Sequence, residues 1–413
     1  MTIHDGMTML DPALYAQGGP PHELFTELRR NEPVARFEIP GVEPFWAIVK
    51  HSDITWISKR PAQFLSGPGI TLAPVDQSAT DVPGFSTMRV VINMDPPEHR
   101  KVRKVASPWF TPRALQRIDA EVEKSATELV DSLVERSDFL ADMATDIAVK
   151  HPLRILSASL GVPRDQESKI LELSNRLFAA DDEEIGGGAQ PEDFAQLGQE
   201  FVQLFLPIIQ DRRENPTEDL ASVLANGQID GAPMGPMETL GYYLIVFNAG
   251  HDTTKNALAG GIRALVEHPE QFEMLRRDPS LVPSAVEEIL RWTSSVNYMK
   301  RTAAEDVTVN GVSIPKGDAL VLFYASANRD EDVFDDPFTF DITRKPNPHV
   351  AFGYGEHFCM GAHFARRSMA AILNQLVTRV EAWELAGDPE WIKASFVVGL
   401  KHLPVRYQVA AGD

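Results

Sequence analysis

Cys359 is the single cysteine in a chain of 413 residues, and it lies in a glycine-rich loop directly before a predicted helix. The loop reads Phe-Gly-Tyr-Gly-Glu-His-Phe-Cys-Met-Gly from Phe352 to Gly361. A lone cysteine cannot form an internal disulfide or supply a multi-cysteine zinc or iron–sulfur site. Three roles remain open for it: an inert buried thiol, a nucleophile, or the one axial ligand of a haem iron.

A second candidate lies within a long predicted helix, Pro236 to Glu267, in the segment Ala-Gly-His-Asp-Thr-Thr that ends at Thr254. The preceding turns are apolar on every side, which predicts that this part of the helix is buried. A buried acid is costly unless it has a partner. Thr253 alone favours a bond back to the carbonyl one turn earlier. With Asp252 directly before it, the pattern favours a polar gap that handles protons.

Two charged patterns could have a function, but each also has a purely structural explanation. Glu288 and Arg291 are three residues apart on one helix face, which by itself is typical of a solvated surface pair of little energetic value. The stretch from His99 to Arg117 contains six Lys or Arg and no acid. It is compatible with a solvated helix face and equally with a surface that binds an acidic partner or an anionic group. His99 and Arg103, four apart, would face one anion.

Bulk composition excludes several classes of partner. Lys and Arg total 39 against 59 Asp and Glu, so the formal net charge is −20. This disfavours nucleic acid and anionic membranes. No signal peptide is recognisable at the N-terminus, and a cytoplasmic protein is expected. The motifs HExxH, GxSxG and GxxxxGK[ST] are absent, which argues against those hydrolase and nucleotide chemistries.

The elements that must position these residues are mostly helical. No long linker divides the chain, so we expect one domain over residues 1–413 that is mostly α with small β-sheets. The predicted helices are Ala114 to Glu135, Pro163 to Phe178, Pro191 to Arg213, Pro236 to Glu267, Val282 to Thr293 and Ala362 to Val380. The predicted strands are Pro44 to Val49, Val307 to Ile314 with an Asn-Gly turn, Ala319 to Tyr324, Ser395 to Val398 and Pro404 to Val409. Ala179 to Asp193 and Leu65 to Phe85 are predicted to be surface loops or an access lid.

Taken together, the three motifs resemble those of the cytochrome P450 family of haem-thiolate monooxygenases. The cysteine loop fits the family pattern FxxGxxxCxG, Glu288 to Arg291 fits ExxR, and Ala249 to Thr254 fits the central-helix pattern with an acid before a threonine. The resemblance covers nearly the whole chain. It implies the P450 fold, a triangular prism with a long central helix over haem b (iron protoporphyrin IX). The sequence is similar to the soluble bacterial class I members of the α-terpineol hydroxylase group.

The resemblance assigns roles to particular residues. Cys359 would be the axial ligand of the haem iron, and Asp252 and Thr253 would relay protons during oxygen activation. Glu288, Arg291 and Arg344 would form a structural network behind the cysteine loop. The residues expected to bind the rest of the cofactor are His99, Arg103, Arg301, Phe352, Gly353, His357 and Gly361, with the two histidines and two arginines facing the propionates.

Substrate and partners also follow from the resemblance. An apolar pocket is expected for a monoterpenoid or an alkylaromatic or polycyclic hydrocarbon, with a steroid or alkyl side chain as the alternative. Its expected lining is Ile70, Leu72, Phe178, Asn248, Ala249, Val296, Phe396 and Val397. The resemblance implies dioxygen as the co-substrate. This size of relative carries no fused reductase, so a small acidic ferredoxin with an NAD(P)H-dependent reductase would supply electrons to a monomer. The expected docking residues are Arg100, Lys101, Lys104 and Arg113, joined by Arg366 and Arg367.

Three other functions compete with this one. A peroxygenase or isomerase would use haem-thiolate without dioxygen, but such relatives usually lack the acid and threonine that Asp252 and Thr253 provide. A non-catalytic haem sensor or carrier would have no use for a proton relay. A helical scaffold without haem would show no haem absorption.

Overall fold

The computed structural model describes residues 6–72, 90–188 and 193–410, and helices make up most of it. The helices are α1 Pro12–Gly18, α2 His22–Asn31, α3 His51–Ser58, α4 Glu98–Ala106, α5 Asp119–Val134, α6 Lys150–Ser159, α7 Glu167–Phe178, α8 Asp193–Glu214, α9 Leu220–Ala225, α10 Pro236–Glu267, α11 Pro269–Arg277, α12 Val282–Thr293, α13 Tyr324–Ala327 and α14 Ala362–Arg379. A short π-helical segment, Ala144–Ala148, precedes α6.

The strands are short and lie mainly toward the two chain ends and between α12 and α13. They are β1 Val34–Phe37, β2 Phe45–Ile48, β3 Phe64–Leu65, β4 Leu140–Asp142, β5 Gln228–Ile229, β6 Ala232–Pro233, β7 Tyr298–Ala303, β8 Val307–Val309, β9 Val312–Ile314, β10 Ala319–Phe323, β11 Val380–Leu385, β12 Glu390–Trp391, β13 Leu400–His402 and β14 Pro404–Val409.

One sheet of five strands has the order β1-β2-β10-β7-β3, and a second of three strands has the order β11-β14-β4. In the larger sheet β2 and β10 run parallel, whereas the other neighbours are antiparallel. The β8–β9 hairpin turns at Asn310 and Gly311, whose φ angles are 49° and 80°. Both residues therefore take the left-handed conformation that a two-residue hairpin turn requires.

The central helix α10 packs in the middle of the largest hydrophobic cluster, against α6, α8, α12 and α14. Two glycines make the approach of α12 possible. A methyl group on Gly261 would lie 2.5 Å from the Ile289 side chain, and one on Gly260 would lie 2.7 Å from the Thr293 side chain. Because these positions have no side chain, the two helices pack at close range.

The helix predictions are confirmed over the described residues, with the first two beginning in short 3₁₀ turns before α5 and α7. The predicted start of the third helix, at residues 191 and 192, lies outside the described residues. The prediction of a strand at Ser395 to Val398 is wrong, because only Val397 forms a single bridge, to Val296. The sequence reading also missed β7, which contains Lys300 and Arg301, both buried. Charged residues on both faces of a strand hide the alternation that normally identifies it.

Of the two predicted loops, only parts belong to the described residues. Residues 73–85 and 189–192 lie outside them. In the loop that begins at Ala179, the described residues are held to the β12–β13 region by ion pairs. Glu183 pairs with Lys393 at 2.9 Å, and Glu184 pairs with Lys401 at 3.0 Å and with His402 at 2.6 Å. Among the described helices, none combines the length and apolar character needed to cross a membrane.

Candidate active site

The loop around Cys359 is shaped by close backbone approaches. The Cys359 amide donates to the Phe352 carbonyl at 2.9 Å, which closes the loop on itself. Gly353 and Gly355 have φ angles of 68° and 72°. A Cβ atom on Gly355 would lie 2.2 Å from the Ser58 carbonyl oxygen at the end of α3. Glycine is therefore required at 355 both by conformation and by space.

Cys359 is an exposed residue, yet its thiol lies where desolvation raises its pKa. The Gly361 amide donates to the sulfur, and the Arg103 and Arg366 guanidinium groups add positive potential; all three lower the pKa against that rise. The sulfur also stands three residues before the start of α14. These groups favour the thiolate, which is the form that binds metal.

A cluster of nitrogen donors lies next to this loop. The His99 and His357 rings have centroids 4.1 Å apart. Burial first, then the charges of Arg301, His99 and Arg103, lower the pKa of His357 to about 3. Arg301 is buried, and its Nη1 donates to the Lys300 carbonyl at 2.7 Å.

Carboxylates are scarce in this cluster. Glu356 is within 3.4 Å of His99 Nδ1 and binds Arg100 at 2.7 Å, whereas Arg301 and Arg103 have no carboxylate partner within the parts of the chain that the structure describes. Buried guanidinium groups need an anion. The donor set therefore fits the carboxylates of a haem, and the Cys359 thiol nearby fits its iron.

Asp252 occupies the middle of α10 and is almost fully buried. Its Oδ2 accepts from Ser174 Oγ on α7 at 2.5 Å, and its Oδ1 is paired with Lys255. Lys255 Nζ also donates to Asn175 Oδ1 at 3.1 Å. Burial disfavours ionisation, but the Lys255 charge and then His251 outweigh it and hold the pKa of Asp252 well below its usual range. The acid is therefore ionised and tied to α7.

Thr253 differs from Asp252 in both exposure and bonding. Its hydroxyl donates to the Ala249 carbonyl at 2.7 Å, the back-bond that the residue type by itself predicts. Ile245, Ala249 and Thr253, spaced by four, are less buried than most of this part of α10, as is Gly250. Asn248 lies off this stripe and is 2% exposed, and its Oδ1 has no partner among the described residues.

Glu288 and Arg291 are completely buried rather than solvated. Arg291 donates from Nε and Nη2 to the two Glu288 oxygens, each at 2.7 Å. Arg344 Nε lies 3.3 Å from Glu288, so the three side chains meet as one network. Arg291 Nη1 also donates to the carbonyls of Asn328 and Pro337, at 2.9 and 2.8 Å. The network ties α12 to the segment that leads into the cysteine loop.

The other predicted pocket residues are brought partly together. Val296 and Val397 form a β-bridge, and Leu72 and Phe396 pack against the same hydrophobic cluster. The Ile70 carbonyl accepts from the Lys300 amide at 2.7 Å, which fixes that segment beside β7. Phe178 ends α7, one turn after Ser174.

Sequence reasoning did not single out Ser174, Asn175, Lys255 or His251, although all four belong to the Asp252 cluster. Lys255 carried one usable signal, because a lysine three residues after a buried acid shares its helix face. Ser174 and Asn175 lie about 80 residues away in the chain, and nothing in their local pattern marks them.

Comparison with known proteins places this geometry in a family. The model of the cytochrome P450 family matches residues 13–409, and the chain belongs to that family. It is accordingly a P450 monooxygenase with a haem-thiolate cofactor, and like the family it uses dioxygen and a redox partner.

Three similar proteins show how widely the likeness extends. Cytochrome P450-terp of Pseudomonas is 34% identical, with 98% of each chain covered. The steroid C26-monooxygenase of Mycolicibacterium smegmatis is also 34% identical, covering 98% of this chain and 94% of the relative. The crystal structure of CYP108D1 from Novosphingobium aromaticivorans superposes with a TM-score of 0.91 at 36% identity, over 99% of both chains. The P450 fold is thereby confirmed.

Proposed function

We propose that this protein hydroxylates an apolar small molecule, with Cys359 as the axial ligand of haem b. The observation that carries the proposal is Cys359, an exposed residue whose thiol receives the Gly361 amide and precedes α14. Haem held there supplies activation of dioxygen and insertion of one oxygen atom into a substrate C–H bond. We further propose that His99, Arg103, Arg301 and His357 bind its propionates, because Arg103 and Arg301 have no carboxylate partner among the described residues.

The loop residues have supporting roles in this proposal. The Phe352 carbonyl accepts a bond from the Cys359 amide, and a Cβ atom on Gly361 would lie 3.9 Å from the Cys359 sulfur. The absence of side chains at Gly353 and Gly361 would leave room for the cofactor. Arg103 also donates to the Phe358 carbonyl at 2.6 Å and so links α4 to the cysteine loop. The Glu288, Arg291 and Arg344 network would hold the segment before the loop in place.

Asp252 and Thr253 are the proposed proton-handling pair. Asp252 is ionised while Ser174 and Lys255 occupy its two oxygens, so it must exchange one of these partners before it can carry a proton. The Thr253 hydroxyl gives its own proton to the Ala249 carbonyl and keeps its oxygen lone pairs free to accept a bond. We propose that Asp252 takes up protons and that the Thr253 hydroxyl orients the group that accepts them.

The proposed substrate is a monoterpenoid or an alkylaromatic or polycyclic hydrocarbon, since cytochrome P450-terp is among the relatives and the predicted pocket is largely apolar. A steroid or alkyl side chain is the second candidate, supported by the equal identity to the steroid C26-monooxygenase. We propose that the chain acts as a monomeric, single-domain cytoplasmic enzyme, with electrons from a small acidic ferredoxin and its NAD(P)H-dependent reductase.

The experiment uses purified enzyme and its Cys359→Ser variant. The reduced wild-type protein with carbon monoxide should show the red-shifted absorption that thiolate ligation produces, and Cys359→Ser should lose it. Optical titration with terpenes, alkylbenzenes, polycyclic aromatics and steroids should convert low-spin to high-spin haem for the preferred class. A wild-type spectrum without the red shift would refute the site, and oxidation retained in Cys359→Ser would refute the role of the sulfur. A protein that binds haem but consumes no NAD(P)H with ferredoxin would instead be a sensor.

A further inference from the structure

His251, directly before Asp252, is a buried histidine that the mechanism above leaves without a role. Its side chain is completely buried, and Phe247 stacks on it with ring centroids 5.6 Å apart and an interplanar angle of 10°. Nε2 lies 3.2 Å from the Val149 carbonyl oxygen, which follows the π-helical segment. A carbonyl oxygen only accepts, so Nε2 must carry a proton in every state of the ring.

The other ring nitrogen is thereby assigned as well. In the neutral ring Nδ1 has a lone pair and no proton. Nδ1 is buried, has no hydrogen-bond partner in the parts of the chain that the structure describes, and lies 3.8 Å from Asp252 Oδ2. A buried lone pair that faces a carboxylate and has no donor is unfavourable. Protonation of Nδ1 removes that cost and makes an ion pair with Asp252.

We infer that His251 is a positioning residue for oxygen activation, which holds at Nδ1 the proton that Asp252 receives after passing one on. This inference rests on the proposed role of Asp252. In the transfer the Nδ1–H bond breaks and an O–H bond forms at Oδ2, so an imidazolium becomes a neutral imidazole with its proton on Nε2. A solvent proton later restores Nδ1–H. A shift of about 1 Å by either group brings the two atoms to hydrogen-bond distance.

The surrounding charges leave this pair isolated. On α10 the nearby charged groups are Asp252 and Lys255, and Lys255 is engaged with Oδ1 and Asn175. On the segments packed against α10, Asp146 is paired with Arg136 at 2.8 Å and Lys150 at 3.1 Å. His151 of α6 bonds Ser125 Oγ and the Ser368 carbonyl, each at 3.0 Å. None of these groups is bonded to the His251 ring.

The first test measures by NMR which nitrogen of the His251 ring carries the proton, and it does not depend on turnover. Holoenzyme with ¹⁵N-labelled histidine is converted to the diamagnetic ferrous carbon monoxide form, and the His251 signals are assigned as those lost in His251→Asn. The expected result is an Nε2–H tautomer in the neutral ring, set by the Val149 carbonyl, and an Nδ1 chemical shift that changes in Asp252→Asn because the facing carboxylate is removed. An Nδ1–H tautomer in the neutral ring, or an Nδ1 chemical shift that is the same in the wild type and Asp252→Asn, would overturn the inference.

The second test measures coupling in three enzymes: wild type, His251→Asn and, as the matched control, His151→Asn. Asparagine at 251 provides a donor near Nδ1 that cannot release its proton. We expect a flattened pH profile and an unchanged spin-state titration. Product per NAD(P)H consumed should fall about tenfold, less than the roughly 10²–10⁴-fold loss of a direct general acid, because His251 acts through Asp252. His151→Asn removes an equally buried histidine and should keep the wild-type pH profile. Equal coupling in wild type and His251→Asn would refute the inference, and a normal carbon monoxide spectrum in every enzyme would leave the proposed function standing.

Discussion

Replacing Glu288 by Gln should lower the free energy of unfolding of this protein far more than the same replacement at the surface. The Glu288 carboxylate receives two bonds from Arg291 at 2.7 Å, one from the Asp341 amide at 2.9 Å and one from Asn347 at 3.1 Å, with Arg344 at 3.3 Å. Glutamine has nearly the same shape but one acceptor oxygen, so an N–H would face the N–H groups of a guanidinium.

The size of the effect follows from the burial. Both Glu288 and Arg291 are completely shielded from water. Removal of one partner of a buried pair costs about 3–5 kcal/mol, because the remaining charge is left unpaired. Proteins are stable by only about 5–15 kcal/mol, so this change consumes a large share of the total. The urea midpoint should fall sharply, and the red-shifted carbon monoxide absorption should be lost at lower temperature than in the wild type.

Glu273→Gln is the matched control. Glu273 and Arg276 have the same spacing of three residues and a distance of 3.1 Å on α11, but the Glu273 side chain is exposed, Arg276 is only half-buried, and Glu273 also pairs with Arg277 at 2.9 Å. Its replacement should leave the urea midpoint within error of the wild type. The reasoning would be refuted if Glu288→Gln shifted the midpoint no more than Glu273→Gln.

Two further predictions concern the surface. Lys104 and Arg113 are exposed and have no ion-pair partner among the described residues, whereas Arg100 pairs with Glu356, Lys101 with Asp230, Arg366 with Glu287 and Arg367 with Asp119. Lys104→Glu and Arg113→Glu should therefore slow electron transfer from an acidic ferredoxin more than Lys316→Glu does. The rates are measured by stopped-flow at two salt concentrations. Equal rates in the three variants at low salt would exclude the face around Lys104 and Arg113 as the ferredoxin docking surface. His402 lies 2.6 Å from both Asp142 and Glu184, and its bonds to these acids raise its pKa against desolvation. A raised folded-state pKa means that the stabilisation is complete below about pH 6.5 and is lost as the pH rises through the raised pKa. Hydrogen exchange in residues 181–186, corrected for intrinsic rates, should rise across that range in the wild type and not in His402→Ala; identical profiles would refute the pairing.

The sequence by itself determined the features that depend on neighbours along the chain. The bounds of α10 and α12 agree with the predicted ones because apolar spacing and helix-start residues are local signals. The Asn310-Gly311 hairpin is likewise a local property. The family resemblance follows from the cysteine loop, the acid with its threonine and the ExxR motif, because residue types and their order can be read from the sequence alone.

Only the tertiary structure decided which of these residues are buried and what they meet. Glu288 and Arg291 read as a surface pair until Arg344 and the carbonyls of distant segments enclosed them. The partner of Asp252 at 2.5 Å is Ser174, and that of Glu184 at 2.6 Å is His402, which lies 218 residues later. Burial and ion pairing are set by segments that meet only after the chain folds, so no window of sequence contains them.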